Sequence, residues 1–265
     1  MTIEIEKKEK GLSRRDIITG AGKIAAGAAI LSMGGIGKVT EAEAYSYASD
    51  FKYKKLNPRE VGQISYENYF KRWCASSVIA GFVAPLKKKV GGAWKGFPID
   101  AYRAFHGGLA GWGALCGTLS GAAVIIGLST RDTDTAESMI NDLAFYYSYT
   151  ELPSFTPAKI LKAKIHNMTM AGTPVCHISV GKWMRSEGVA FLSNERSERC
   201  ARLAANIAME AVGMLNEYAA NGKYSPKHQL LFNLAANGIT SQNNCSDCHG
   251  QNPPSPNETY QTLKK

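Results

Sequence analysis

Acidic residues are the scarce charges in this 265-residue chain: 22 Asp and Glu stand against 31 Lys and Arg, a net charge of +9. A basic surface favours acidic partners, such as small acidic redox proteins or the membrane surface. Yet the chain has no long basic run and no comb of aromatics among basic residues, which argues against nucleic acid. Much of the excess is local, in Lys87-Lys88-Lys89 and between Lys159 and Lys164, where solvated faces account for it. No nucleophile–base constellation is present, so an enzymatic reading rests on metals alone. One closely spaced Cys/His set occurs, with no second pair nearby to complete a zinc site.

That set is Cys245-Ser246-Asp247-Cys248-His249. Two thiols three positions apart, followed at once by histidine, form the attachment pattern of a c-type haem. The sulfurs add to the two vinyl groups of one porphyrin, and the short loop brings the histidine under the ring as proximal iron ligand. One such motif predicts one covalent haem per chain. It sits in a polar tail, residues 237–265, with Pro253, Pro254 and Pro256 and little apolar periodicity.

The other end carries an export signal. Ser13-Arg14-Arg15-Asp16-Ile17-Ile18 is a twin-arginine motif. A weakly apolar, Gly- and Ala-rich stretch follows to Ile36, and Ala42-Glu43-Ala44 offers small-residue cleavage before Tyr45. We expect residues 1–44 to be a signal peptide, 45–236 a helical body and 237–265 the haem-bearing tail of a periplasmic protein. Residues 1–44 hold seven Lys/Arg and six Asp/Glu, leaving the mature chain 24 against 16. The twin-arginine route carries folded proteins, often with a cofactor installed. Haem c is attached after crossing, so the route points to a second group in the body.

Four cysteines remain: Cys74, Cys116, Cys176 and Cys200. Cys74 falls in an expected helix from Tyr66 to Ala84, closed by Pro85, on a face shared with Phe70 and Val78. Cys116 lies in the uncharged, glycine-rich run Leu109–Leu128, on a stripe with Leu109, Trp112, Leu119 and Ala123. Cys176 follows Thr173-Pro174, read as cap and first helical residue, which puts its thiol in a first turn where the helix dipole favours thiolate. Cys200 heads an amphipathic helix, roughly Glu195 to Ala220, with Leu203, Ile207, Ala211, Met214 and Tyr218 on one face and Asn221-Gly222 as its stop. Burial as small hydrophobes, two disulfides, or four thiolates on an iron–sulfur cluster all fit this placement. Only the last explains folded export.

The run Leu109–Leu128 is long enough to span a bilayer, and Gly113, Gly117 and Gly121 make a small-xxx-small pattern. Its central Trp, polar residues and glycines favour a buried central helix crossed closely by neighbours instead. The expected class is mainly α: a single bundle-like domain, with no transmembrane segment in the mature chain and an irregular C-terminal tail.

The segment from Gly111 to Ala122, GWGALCGTLSGA, with Cys74 before it and Cys176 and Cys200 after, resembles the redox family named for its C…GCAxxG…C…C pattern. Leu115 precedes and Gly117 follows the central cysteine, so the motif is a variant. Thr173 to Trp183, TPVCHISVGKW, together with the haem motif, resembles the split-Soret cytochromes c. The resemblance runs from about Tyr66 to Gly250. It implies a helical periplasmic homodimer in electron transfer, with c-haems and an iron–sulfur cluster on Cys74, Cys116, Cys176 and Cys200. The split-Soret proteins carry two haems per chain, against one attachment motif here.

His249 is the expected proximal ligand. For the distal position His177 comes first, next to Cys176; His106, His166, His228, Met168 and Met170 are the other candidates. A haem and iron–sulfur oxidoreductase acting on a small substrate, and a structural or assembly subunit, are the alternatives to an electron carrier.

Overall fold

The computed structural model describes residues 50–228; the expected signal peptide and the motif Cys245, Cys248 and His249 lie outside the described residues. Within them are six α-helices and two 3-10 segments: α1 (Pro58–Arg72), α2 (Cys74–Lys89), the 3-10 segments Gly92–Gly96 and Ile99–Phe105, α3 (Gly117–Ser129), α4 (Thr133–Tyr149), α5 (Cys176–Glu187) and α6 (Asn194–Asn221). The class is mainly α, as the sequence predicts. Two isolated antiparallel bridges, Leu115 with Val175 and Leu152 with Thr169, are the β pairing among the described residues.

The axis of the body is α6. Ser193 caps it, accepting from the Arg196 N–H at 3.1 Å, and Gly222 stops it at φ 70°. Cys200, Leu203, Ile207, Ala211 and Met214 are buried along one stripe, with Tyr218 packed at its end. Helices α1, α2, α3 and α4 all pack against it.

The expected single helix Tyr66–Ala84 is corrected: the chain makes two helices that share extensive contact. Asn57 caps α1, accepting from the N–H groups of Arg59 and Glu60 at 2.9 and 3.2 Å, and Pro58 stands in the first turn. At Trp73 the backbone turns to φ 60°, ψ −167°, which no right-handed helix continues through. Helix α2 restarts at Cys74 and runs past Pro85 rather than ending there. An interior proline costs about 3 kcal/mol. Full burial of Ile79, Phe82 and Leu86 around it offsets that cost.

The run Leu109–Leu128 is corrected as well. Residues 107–111 and 113 all have positive φ, including Leu109 at 64° and Ala110 at 48°, and Trp112 is 86% exposed. A helix cannot pass through left-handed residues, so α3 begins only at Gly117. Two of the three spaced glycines do serve close packing: Gly117 and Gly121 lie against Cys74 and Ala75 of α2, where a Cβ would collide. No described helix is long and apolar enough to cross a membrane.

Candidate metal centre

Three of the four cysteines stand at helix starts. Cys74 is the first residue of α2, Cys116 caps α3, and Cys176 is the first residue of α5, with Val175 rather than Thr173 as its cap. The left-handed loop explains how two of them meet. The Cys116 N–H donates to Pro174 O at 3.0 Å, and the Cys176 N–H to Ala114 O at 2.7 Å. These bonds flank the Leu115–Val175 bridge and set Cys116 and Cys176 side by side. The N–H of His177 extends the ladder to Gly113 O at 3.0 Å. Cys200 comes from the second turn of α6.

All four are buried, free thiols in this structure. The titrations of Cys74, Cys116 and Cys176 are linked through their mutual proximity. The Cys176 thiol donates to Cys116 and pulls it down to about 5, against the effect of burial and with help from the Thr118 hydroxyl 3.2 Å away. Cys176 is pushed up by the same bond. Burial, then the neighbouring Cys116 and Cys200, push Cys74 up to about 12.

The surroundings are built for negative charge. Arg199 is 1% exposed and makes no ion pair with a carboxylate among the described residues. Its Nη2 donates to Ser179 Oγ at 2.7 Å, its Nη1 lies 3.9 Å from Cys200 Sγ, and its Nε has no partner. Burial alone would lower its pKa, but Cys200, Tyr147 and Cys116 hold it raised. The Tyr147 hydroxyl is buried without a hydrogen-bond partner beside Cys116. An unpaired buried guanidinium and an orphaned hydroxyl are both costly unless an anion completes the site. Three helix N-termini add partial positive charge from the same side. No three Cys, His, Asp or Glu side chains among the described residues are gathered as around a single metal ion. Four buried free thiols beside a buried guanidinium are, as a donor set, the soft ligands that a thiolate-held iron group would use.

A cavity of about 400 Å³ opens over the thiols, lined by Cys74, Cys176 and Cys200 together with Trp73, His106 and His177. The His106 ring lies 4.7 Å from that of Trp73, and Arg103 covers the indole at 5.0 Å. His166, His228, Met168 and Met170 do not line it. Tyr69, whose hydroxyl is pushed up by burial and then by Cys200 and Cys74, completes the wall. The sequence pointed to the cysteines but not to Tyr69, Tyr147 or Arg199. One signal was available: an arginine directly before a cysteine on a stripe that turns inward.

Residues 73–218 match the family model "Putative redox-active protein (C_GCAxxG_C_C)", a span that holds all four cysteines. The chain belongs to this family. As a C_GCAxxG_C_C protein it is also similar to the split-Soret cytochrome c of Desulfovibrio desulfuricans, at 30% identity over 251 residues, 90% of this chain and 87% of that one. A solved structure of split-Soret cytochrome c from that organism, reported for a novel iron centre, aligns with a TM-score of 0.66 and 28% identity. The alignment covers 84% of this chain and 90% of that one.

Proposed function

We propose that this C_GCAxxG_C_C protein is an exported electron carrier. It holds one c-type haem on Cys245 and Cys248, with His249 as proximal ligand, and an iron–sulfur cluster on Cys74, Cys116, Cys176 and Cys200. The observation that carries the cluster is Arg199: a fully buried cation with no carboxylate partner among the described residues and with Cys200 Sγ 3.9 Å from its Nη1. The relative's name, a cytochrome c, and the iron centre reported for the solved structure support the haem and the metal.

When bound, the cluster would supply a one-electron couple. The chain's own residues supply the rest. Arg199, Tyr147 and the starts of α2, α3 and α5 compensate the charge of the sulfur set, and the burial of all four cysteines leaves the cavity as their route to solvent. Export by the twin-arginine route to the periplasm, assembly as a homodimer and transfer to acidic redox partners complete the proposal.

The test is an optical spectrum with iron, acid-labile sulfide and haem analysis of protein purified without oxygen. We expect one covalent haem per chain by intact mass, plus cluster iron and sulfide. Changing any one of the four cysteines to serine should lower cluster iron and stability together. Full retention of iron and sulfide in all four variants would refute the cluster assignment.

The cavity beside the thiols favours a second reading, an oxidoreductase that admits a small substrate to the metal centre. A substrate-dependent change in the cluster spectrum would select it.

A further inference from the structure

The segment His166-Asn167-Met168-Thr169-Met170 alternates in exposure residue by residue. The His166 side chain is 79% exposed, and Met168 and Met170 are 48% and 50% exposed, while Asn167 and Thr169 between them are half-buried. Two thioethers in water are out of keeping with the rest of the described chain. Met139 and Met214 are buried, and Met184 and Met209 pack against the core.

The inward residues pin the segment. Leu152 and Thr169 exchange backbone hydrogen bonds at 3.2 and 3.0 Å. The Asn167 side-chain amide donates to Ser186 O at 2.9 Å, and Asn167 O accepts from the Trp183 indole at 2.9 Å. Glu187, its side chain 4% exposed, accepts from the backbone N–H groups of His166 and Asn167, both at 2.9 Å. The same carboxylate lies 3.1 Å from His166 Nδ1.

A carboxylate is an acceptor only, so Nδ1 carries the proton and Nε2 presents its lone pair outward. A carboxylate behind the imidazole is the outer partner that metal-bound histidines almost always have. Outward side chains of an extended chain stand roughly 6.5–7 Å apart, a span that flexible, unbranched methionines cover around one ion. One imidazole and two thioethers are neutral, soft donors, a set that selects copper(I) over hard divalent ions. Lys164 continues the outward face, which further disfavours a doubly charged ion.

We propose that His166 Nε2, Met168 Sδ and Met170 Sδ form a surface site for one copper(I) ion, with Glu187 as its positioning residue. Glu187 ends α5 and Cys176 begins it, so about 16 Å of helix separates this site from the four-thiol centre. It depends on neither the proposed haem nor the proposed cluster.

The four cysteines are soft donors too, so the experiment reads the methionines themselves. The full holoprotein, isotope-labelled at its methionine methyl groups, is titrated with copper(I) and ascorbate without oxygen and followed by nuclear magnetic resonance. Met168→Leu and Met170→Leu, volume-conserving changes at exposed positions, assign the two lines. Those lines should move with copper while the lines of Met139 and Met214 stay. The bicinchoninate needed to reverse the shift measures affinity, which should fall in His166→Ala. Glu187→Gln should lower it about 10–100-fold. The same variant should change the tautomer balance of His166 in the copper-free protein, read from its ring nitrogen shifts, which a purely structural loss would leave alone. Met168 and Met170 lines that stay still while copper goes to the cysteines would overturn the site. An unchanged affinity and tautomer in Glu187→Gln would remove the positioning role, and zinc moving the lines as strongly as copper(I) would overturn the choice of ion.

Discussion

Ser179 and Arg199 are joined across two helices by a 2.7 Å hydrogen bond, and that bond aims a buried guanidinium at Cys200. Ser179 lies one turn from Cys176 on α5, and Arg199 directly precedes Cys200 on α6. The pair therefore ties together the helices that supply two of the four sulfurs. It also leaves the cation with no carboxylate to answer it among the described residues.

Replacing Arg199 with methionine should act oppositely on the two forms of the protein. A buried unpaired cation destabilises the metal-free chain, so the variant without iron should melt higher. With iron, the loss of a charge-assisted contact of about 1.5–3 kcal/mol should weaken retention of the group. Thermal melts and iron content before and after chelation check both. Equal shifts in the same direction would contradict the charge-compensation argument.

Gly117 and Gly127 make a matched pair on α3. A Cβ at Gly117 would strike the Phe105 carbonyl and Cys74, whereas one at Gly127 meets nothing within 4 Å. Gly117→Ala should cost about 1–3 kcal/mol or more and lower cluster iron by displacing Cys74. Gly127→Ala should be neutral or stabilise by up to about 1 kcal/mol through helix propensity. Denaturant unfolding of the two variants provides the comparison.

Glu187 gives a pH dependence. Burial would raise its carboxyl, but the N–H groups of Asn167 and His166, both at 2.9 Å, and the His166 ring hold it below the ordinary 4.5. A depressed carboxyl stabilises the fold above its unfolded value and loses that contribution as pH falls through the folded one. Stability should therefore drop below about pH 4.5. In Glu187→Gln the dependence should be shallower and stability near neutrality lower. Melts from pH 3 to 7 measure the slope.

Arg14 and Arg15 test the route out of the cell. Changing both to lysine should trap the precursor inside, with no mature chain beginning near Tyr45. Normal export of that double variant would remove the argument for a body that folds before crossing. Fractionation and N-terminal sequencing decide it.

The helical class and α6 were legible because a 3-4 apolar pattern runs from Cys200 to Tyr218 and Asn221-Gly222 marks its stop, while the cap at Ser193 emerged from the structure. The four cysteines were legible as a set through the pattern they share with a family. Trp73 was not, since nothing in a tryptophan announces a left-handed backbone; packing of α1 on α2 imposes it. The loop before α3 looked helical because its residues are apolar and uncharged, yet its glycines serve the left-handed turns that carry Cys116 to Cys176. His166 and Glu187 are brought together by tertiary structure alone, so their pairing left no local trace. Pro85 reads as a stop only if burial on both sides of it is ignored.

The four cysteines come from four widely separated stretches of chain, two of them brought side by side by the bridge between Leu115 and Val175. No local fragment contains the set, and an unfolded chain presents four unrelated thiols. On the proposed function, formation of the centre would be a late event in maturation, waiting on long-range closure of the bundle. Machinery that delivers iron would then meet a nearly finished protein, and a chain that stalls before α5 docks would offer its thiols to oxidation instead.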